Sequence, residues 1–316
     1  MTFSQEAKNE VLKSVKNVKG CCASSFLTAV LKAIGSLKLE RRKFCFTVES
    51  DNHAFLTTCR DMAAKHLDCN AVIESGNVNV KGEPTYCCVF GDNLGDKLGL
   101  TSRQGGEFVL TDDAGALIPD KDCCKRAFAQ GLFLASGSVV IPTDDIYDED
   151  NKNTSKYHLE LRLSDPDFAR AVQSAYSYVD WKLLQRKSHS ILYVKDSEKI
   201  ADFLAYVNAT RCRFKLDNII AGRSVRNKIN RQNNCSVANI DKTVTAAQKQ
   251  LRAIAQLKQT GRYDSLPQQL KDIAELRLNN REATLDEIAA KLGISKSGAN
   301  HRFARIDELA DLQENK

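Results

Sequence analysis

The sequence has no uninterrupted apolar stretch of the about 20 residues that a membrane-spanning helix requires. Residues 1–6 also lack the apolar core of a signal peptide. Both absences argue against a membrane protein and a secreted protein, so we expect a cytoplasmic protein with no membrane partner. With 316 residues, of which 42% are hydrophobic, the chain is long enough for two or three domains.

Two common chemical motifs are absent as well. The phosphate-binding loop GxxxxGK[ST] does not occur, and we expect no cofactor. Eleven cysteines include adjacent pairs at 21–22, 87–88 and 123–124, but none has the CxxC spacing of zinc or redox sites. Neighbouring cysteine side chains on a helix or strand are expected to point apart, and no histidine lies at ligand spacing. We therefore predict reduced thiols packed as small apolar groups, and no bound metal.

Basic residues outnumber acidic residues in the last third of the chain, whereas the rest of the chain has no such excess. Residues 211–316 hold 20 Lys and Arg against 12 Asp and Glu, whereas residues 1–210 hold 26 against 28. The whole net charge of +6 therefore comes from the C-terminal part. A basic end joined to a neutral body is the electrostatic pattern of a nucleic-acid-binding protein, although solvated surface charge is the alternative for any single residue.

An internal repeat occupies the first two thirds of the chain. Residues 21–36, CCASSFLTAVLKAIGS, align with residues 123–138, CCKRAFAQGLFLASGS. Each segment predicts a helix that ends at Gly-Ser, followed by a β-hairpin, a second helix, two more strands and a closing helix. The pattern predicts a duplicated α-β-β-α-β-β-α domain at residues 1–208, with copies of about 1–105 and 106–208. We expect the two small-residue helices to pack closely about a pseudo-twofold axis.

The second copy contains a longer loop, residues 143–156, between its first two strands. Five acidic residues cluster in it: Asp144, Asp145, Asp148, Glu149 and Asp150. Clustered carboxylates can bind a hard cation, but the loop lacks the glycine-defined spacing of a calcium site. We interpret it as a solvated loop and predict no metal there.

Residues 265–312 have the spacing of a helix-turn-helix. Pro267 lies in the opening turn of a first helix, and Thr284 with Glu287 spells the capping box that begins a second. Gly293 lies where the tight turn to a third helix needs a positive φ. A three-helix subdomain that only packs or binds protein is the alternative interpretation.

The third helix, capped by Ser295, carries the side chains that we expect to contact DNA. Small residues at Ser297 and Gly298 would let the helix lie deep in a major groove, with Phe303 and Ile306 turned inward. Amide, hydroxyl, imidazole and cationic groups on this helix can hydrogen-bond base edges and phosphates. The predicted DNA-binding residues here are Lys296, Ser297, Asn300, His301, Arg302 and Arg305.

A basic linker is predicted at residues 209–235, ahead of a helical domain over 236–316 that opens with a long helix over 237–257. Between Arg211 and Arg231 seven basic residues accompany one acid, Asp217, and asparagines are interleaved. Such side chains hydrogen-bond phosphates and base edges, so the linker is positioned to cross a DNA backbone. The alternative, that they cap helices and hold the domains together, stays open. The predicted DNA-binding residues here are Arg223, Arg226, Lys228 and Arg231.

The duplicated small-residue helix that runs into a β-hairpin resembles the LAGLIDADG homing endonuclease fold. In that family an acidic residue precedes the glycine at the end of the helix in each copy, and the pair holds the metal for phosphodiester cleavage. Aligned on the glycines, these positions are Ile34 and Ser136 here. Neither side chain replaces a carboxylate as a metal ligand, so the resemblance implies a degenerate site and no enzyme.

A LAGLIDADG-like domain without its acids, joined to a C-terminal helix-turn-helix, resembles the WhiA family of bacterial transcriptional regulators. The most specific match is the Asn/Arg-rich segment 226–243, RNKINRQNNCSVANIDKT, and residues 265–267 and 295–298 also match family patterns. The resemblance covers essentially the whole chain. It implies an α+β fold, in which the duplicated α/β domain with pseudo-twofold symmetry is followed by an all-α helix-turn-helix domain.

The same resemblance implies sequence-specific binding of double-stranded DNA at promoters, association with the nucleoid, and no nuclease activity. It also implies a role in sporulation, or in cell division and chromosome segregation where the organism does not sporulate. RNA polymerase or another regulator is a further candidate partner.

Two other functions stay open. The first is a scaffold of the chromosome or division machinery that binds DNA weakly or without sequence preference. The second is an active endonuclease with acids that replace the missing pair, which plasmid nicking with magnesium or manganese would test. Residues 1–210 have a net charge of −2, which argues against a large phosphate footprint on the duplicated domain. Protein contact is at least as well supported there.

Overall fold

In the computed structural model the described residues are 1–40, 43–78, 82–104, 107–111, 113–142 and 156–311. The acidic cluster at 144–150 therefore lies outside the described residues, as does Leu312 at the end of the predicted helix-turn-helix. The chain divides into two compact units, Met1–Gly222 and Arg223–Lys316. No helix within the described ranges is long and apolar enough to span a membrane.

The first unit opens with helix α1 (Phe3–Ser14), whose first turn is closed by a capping box between Thr2 and Gln5. The first copy follows as α2 (Gly20–Ile34), β1 (Gly35–Glu40), β2 (Lys43–Ser50), α3 (His53–Leu67), β3 (Ala71–Val78), β4 (Pro84–Phe90) and α4 (Leu94–Lys97). A hairpin absent from the sequence prediction, β5 (Thr101–Gln104) and β6 (Glu107–Leu110), comes next. The second copy is α5 (Asp122–Ser136), β7 (Gly137–Val140), β8 (His158–Leu163), α6 (Pro166–Ala175), β9 (Lys182–Gln185), β10 (Ser190–Val194) and α7 (Ser197–Tyr206). The predicted element order is therefore confirmed in both copies.

The two copies share one sheet topology. Their antiparallel sheets have the strand orders β1-β2-β4-β3 and β7-β8-β10-β9. Successive side chains of a strand point to opposite faces, and in β8 the buried residues are Leu159, Leu161 and Leu163. The inward faces of both sheets and the helices form one hydrophobic core.

Helices α2 and α5 pack tightly against each other, as their small residues predict. A Cβ atom at Gly131 of α5 would lie 2.6 Å from the carbonyl oxygen of Phe26 in α2, so only glycine is accommodated there. Each helix passes directly into a strand at a glycine, Gly35 or Gly137. A Cβ atom at Gly35 would lie 2.4 Å from the carbonyl oxygen of Leu31, and one at Gly137 would lie 2.6 Å from the carbonyl oxygen of Phe133. The Gly-Ser ends are therefore set by close backbone packing, since both glycines have ordinary negative φ.

The amino ends of the same two helices bring together cysteines that are far apart in sequence. Cys21, Cys22, Cys123 and Cys124 place their Sγ atoms within 4.8 Å of one another. The expectation that adjacent cysteines point apart is wrong here, because Cys123 Sγ and Cys124 Sγ are 3.9 Å apart. In the first turn of a helix, both side chains can lean toward the partner helix.

A single helix, α8 (Thr210–Gln259), covers both the predicted linker and the helix predicted to begin at Val237. Helix α8 contains no proline, and Gly222 is its one glycine. Asparagine disfavours a helix by only a fraction of a kcal/mol, so the asparagine-rich segment after Gly222 does not interrupt the helix. Residues 227–242 of α8 are exposed on every side. The C-terminal turns are not, because Ile254 and Leu257 are buried.

The second unit is completed by α9 (Gln268–Asn279), α10 (Leu285–Lys291) and α11 (Lys296–Asp311). These three helices share a hydrophobic core with the end of α8. Its largest members are Ile254, Leu257, Leu266, Leu270, Ile273, Ile288, Phe303 and Ile306. The predicted helices of the helix-turn-helix are therefore all present.

Candidate nucleic-acid interface

The start of α10 and the turn from α10 to α11 are built by the local signals that the sequence shows. Thr284 Oγ1 accepts a hydrogen bond from the backbone N–H of Glu287 at 3.2 Å, and Glu287 Oε2 accepts one from the Thr284 N–H at 2.8 Å. This reciprocal pair satisfies two N–H groups that the first turn of α10 leaves without helical partners. Gly293 has φ +65°, the left-handed conformation that its position predicts. Ile294 packs against the core and fixes the turn.

Helix α11 starts at a serine cap and has one buried side. Ser295 Oγ accepts a hydrogen bond from the Gly298 N–H at 3.1 Å. The buried residues of this helix are Ala299, Phe303, Ile306 and Ala310. With about 100° of rotation per residue, the opposite side is centred on Ser297, His301, Ala304 and Arg305, which are all exposed.

The remaining predicted reading residues lie on the flanks of that exposed face. Asn300 and Arg302 differ by about 200° around the helix, so they cannot meet the same base pair. Asn300 is exposed and Arg302 is half-buried. The geometry therefore separates these two positions, which the sequence alone groups together.

Two predicted DNA-binding cations of α11 form exposed ion pairs within the second unit. Lys296 Nζ lies 2.6 Å from Asp286 Oδ2 of α10, and Arg305 Nη1 lies 2.6 Å from Glu308 Oε2. All four side chains are more than half exposed. Surface pairs of this kind contribute about 0 to 1 kcal/mol, so a phosphate group can replace either carboxylate at small cost.

The orientation of α11 is set by contacts to the end of α8. Gln256 Nε2 donates a hydrogen bond to the carbonyl oxygen of Ala310 at 3.2 Å, and Lys249 Nζ lies 3.2 Å from Asp307 Oδ2. These contacts join the C-terminal half of α11 to α8 and leave its N-terminal turns exposed.

Arg277 is an important residue of this unit that we did not single out from the sequence. Its side chain is only 2% exposed, and its guanidinium lies over the Phe303 ring, with Cζ 5.4 Å from the ring centroid. It is in helical register with buried Leu270 and Ile273, and this periodicity is the signal that would have found it.

The predicted basic residues of α8 divide into two groups. Arg213 and Lys215 are engaged within the first unit, 3.5 Å from Asp217 and 2.9 Å from Glu6 respectively. The four predicted DNA-binding residues lie further along the helix. Arg223 and Arg226 are half-buried and make contacts, whereas Lys228 and Arg231 are exposed.

The two degenerate positions lie at the C-terminal ends of α2 and α5, one in each copy. Ile34 is half-buried against the core, and Ser136 Oγ donates a hydrogen bond to the Leu132 carbonyl oxygen at 3.1 Å. Across the described part of the chain, no group of three carboxylates or histidines with metal-binding geometry occurs. The cysteine cluster at the opposite, amino ends of these helices is the group that does have such geometry.

Among the described strand residues, the outer faces of the two sheets carry no excess of positive charge. Side-chain alternation places four carboxylates and four cations on them: Glu40, Glu49, Glu74, Glu160, Lys38, Lys43, Arg162 and Lys182. Lys43 is moreover paired with Asp92 at 2.9 Å. Neutralisation of a phosphate backbone requires an excess of cations, which these faces do not provide.

Comparison with known proteins identifies both parts of the chain. Residues 229–310 match the family model of the WhiA C-terminal HTH domain, and residues 125–226 match that of the WhiA LAGLIDADG-like domain. The protein named probable cell division protein WhiA in Geobacillus thermodenitrificans is 32% identical over 98% of this chain and 96% of its own length. The protein of the same name in Bacillus subtilis is 30% identical, also over 98% of this chain and 96% of its own length.

A solved structure agrees on the fold. The crystal structure of full-length DUF199/WhiA from Thermatoga maritima is 23% identical to this chain and superposes with a TM-score of 0.55. The match covers 98% of both chains. It confirms the predicted architecture of a LAGLIDADG-like domain followed by a helical helix-turn-helix domain.

Proposed function

The chain belongs to the WhiA family, and on this premise we propose that it is a transcription regulator that binds promoter DNA sequence-specifically through α11. The observation that carries the proposal is the exposed face of α11, where Ser297, His301 and Ala304 follow one another at helical spacing. Small side chains at 297 and 304 allow a close approach to base edges, and His301 supplies a hydrogen-bonding group between them.

The flanks of α11 complete the proposed interface. Asn300 is suited to the N6 and N7 atoms of adenine, and Arg305 to guanine or a phosphate. Arg302, half-buried on the other flank, is placed to contact the DNA backbone. Lys296 contacts the DNA backbone as well, once a phosphate replaces Asp286 as its ion-pair partner.

Exposed cations of α8 are proposed to add affinity without sequence preference. Lys228 and Arg231 lie in the part of the helix that is exposed all round, where nothing in the described chain shields them from a phosphate. Arg223 and Arg226 are proposed to help from their half-buried positions. Each neutralised phosphate releases counterions, so these contacts weaken as salt rises.

The duplicated domain is proposed to bind a protein and to have no nuclease activity. Its outer sheet faces are balanced in charge, and Ile34 and Ser136 cannot serve as carboxylate ligands for a catalytic metal. RNA polymerase or another regulator is the proposed partner. Plasmid DNA incubated with the protein and magnesium or manganese should stay intact.

The proposed biological role is the control of cell division and chromosome segregation, or of sporulation where the organism sporulates. The relatives that match over 96% of their own length are named probable cell division proteins. Binding to promoters would place the protein in the cytoplasm on the nucleoid.

The test compares two exposed alanines that receive the same negative charge. Ala304→Glu puts a carboxylate at the centre of the exposed face of α11. Ala246→Glu puts a carboxylate at an exposed position of α8 in the same unit. Binding sites are mapped on the chromosome by crosslinking and sequencing, and promoter affinities are measured on purified DNA. We expect Ala304→Glu to lose its promoter peaks and to bind promoter DNA at least tenfold more weakly. Ala246→Glu should keep the promoter peaks and the wild-type affinity. Equal promoter binding by the two variants would refute the assignment of α11.

A second candidate, a division or chromosome scaffold, is favoured by an apolar stripe on α8. Val225, Ile229, Val237, Ile240 and Val244 are 47 to 61% exposed and follow helical spacing. Exposed apolar stripes mark protein contacts. Broad chromosome occupancy that Ala304→Glu leaves unchanged, with equal affinity for promoter and shuffled DNA, would favour this function.

A further inference from the structure

Four cysteines at the start of α2 and α5 form a cluster that the proposed DNA-binding function does not use. Lys19 and Lys121 are the N-cap residues, so Cys21 and Cys22 occupy the same second and third helical positions as Cys123 and Cys124. Each copy of the duplicated unit therefore contributes an equivalent pair of thiols. All four Sγ atoms lie within 4.8 Å of one another.

The spacing of these sulfur atoms matches one metal ion better than the other groups that four cysteines can form. In a tetrahedral site with Zn–S bonds of about 2.3 Å, neighbouring sulfur atoms lie about 3.8 Å apart. Cys123 Sγ and Cys124 Sγ are already 3.9 Å apart. An iron–sulfur cluster spreads its cysteines around two or more irons and holds them farther apart. A disulfide needs two sulfurs at about 2.05 Å, and all four cysteines are free.

Burial divides the cluster into an inner and an outer pair. Cys22 and Cys124 are buried, whereas Cys21 and Cys123 are exposed, which leaves a path by which an ion can enter. A metal ion binds the thiolate form of cysteine, so metal binding at this cluster would release protons.

The surroundings favour an anionic group at this place. Four thiolates around a divalent ion carry a net charge of −2, and the positive ends of two helices point at them. Neither Lys19 nor Lys121 makes a side-chain hydrogen bond to its helix, so the backbone N–H groups of both first turns lack side-chain caps. Asp122 is the opposing charge in the first turn of α5.

We propose that Cys21, Cys22, Cys123 and Cys124 bind one zinc ion as a tetrathiolate that joins the two copies of the duplicated domain. Four protein ligands close the coordination sphere, so the ion has a structural role and activates no water. The site links α2 to α5 at their amino ends, whereas the packing of Gly131 on Phe26 joins the same helices further along.

The test uses the full chain, purified under reducing conditions without a metal-binding tag. We expect one zinc per chain by elemental analysis, and on exchange with Co²⁺ the thiolate charge-transfer and d–d absorption bands of a tetrahedral cobalt site. The variant pair Cys21→Ser and Cys123→Ser replaces only exposed thiols and should fold, as circular dichroism would show. It should bind zinc at least a hundredfold more weakly and unfold at a lower temperature than the zinc-loaded wild type. Cys235→Ser, an exposed cysteine of α8, is the matched control and should retain the metal.

Three results would overturn the proposal. One is a reduced wild-type chain that takes up no zinc at micromolar concentration. Another is a Cys21→Ser, Cys123→Ser variant that binds zinc as tightly as the wild type. The third is a protein that holds two or more irons with bridging sulfide, or that forms disulfides among these four residues when isolated anaerobically.

Discussion

Arg277 Nε donates a hydrogen bond of 2.9 Å to Gln250 Oε1, and this buried pair joins α9 to α8. The same guanidinium donates through Nη1 to the carbonyl oxygen of Ala283, just before the capping box of α10. One side chain therefore connects three segments of the helix-turn-helix domain. It supports the position of α11 without touching the face proposed to meet DNA.

Replacement of Arg277 by Met should destabilise the second unit. Met fills part of the space but leaves the Gln250 amide oxygen and the Ala283 carbonyl oxygen without the donor, at a cost of about 1–3 kcal/mol. Thermal unfolding followed by circular dichroism measures the change. Arg281→Met removes the same charge from an exposed position and should change the unfolding free energy by less than about 0.5 kcal/mol. If both variants unfold alike, the buried hydrogen bonds contribute nothing.

Asn300 and Arg302 should affect DNA recognition differently, because they lie on opposite flanks of α11. Asn300→Ala should relax discrimination at one base position of the operator, where a bidentate contact contributes about 1–3 kcal/mol. Arg302→Ala should weaken binding to promoter DNA and to shuffled DNA by the same factor, because a contact to the DNA backbone does not depend on base sequence. Affinities for a set of operators with single base changes separate the two patterns. A base-specific loss on Arg302→Ala would place that side chain in the groove instead.

Removal of Lys228 and Arg231 should reduce the salt dependence of DNA binding. If each contacts one phosphate, the double alanine variant should lower the slope of log affinity against log salt by about 1.8. Arg162→Ala with Lys182→Ala removes the same charge from the outer face of the second sheet and should leave the slope unchanged. Titrations at several salt concentrations give both slopes. A reduced slope in the sheet variant would place DNA on the duplicated domain.

Asp165 should make the stability of the duplicated domain depend on pH. Partial burial alone would raise its pKa, but hydrogen bonds from the Phe168 and Asp167 N–H groups and the Lys32 ammonium, 3.1 Å away, hold the pKa below its ordinary value. Because the folded pKa is depressed, the ionised carboxylate stabilises the fold above the unfolded pKa of about 4. This stabilisation is lost as pH falls through the folded value.

The variants Asp165→Asn and Asp165→Ala separate the charge from the helix cap at this position. Asparagine keeps the cap of α6, whereas alanine removes it at a cost of about 0.5–2 kcal/mol. In denaturant unfolding at pH 7 both variants should be less stable than the wild type, and Asp165→Ala should be the less stable of the two. Toward pH 3 the wild type and Asp165→Asn should converge, while Asp165→Ala stays apart. If the unfolding free energies of the wild type and Asp165→Asn still differed at pH 3, the difference would not come from the charge of Asp165.

Much of the architecture could be predicted because its signals lie in neighbouring residues. The capping box of Thr284 and Glu287 and the left-handed Gly293 each act within one turn of chain. The repeat showed the duplication, and the glycines at 35 and 137 marked where helix passes into strand. The long α8 was predictable in the same way, because it contains no proline and no glycine after Gly222, but the asparagines led us to expect a linker.

Which distant side chains meet depends on how the elements pack in three dimensions. Cys21 and Cys123 are 102 positions apart, and they come together because Gly131 lets α5 approach the backbone of α2. The same holds for Arg277, whose burial depends on α8 and α11 packing around it, and for the flank that each residue of α11 occupies. Most of the elements and their order could be predicted from the sequence, since hydrogen bonding within a helix or turn is local, but the β5–β6 hairpin was not predicted. The sites depend on packing between elements, which no short stretch of chain contains.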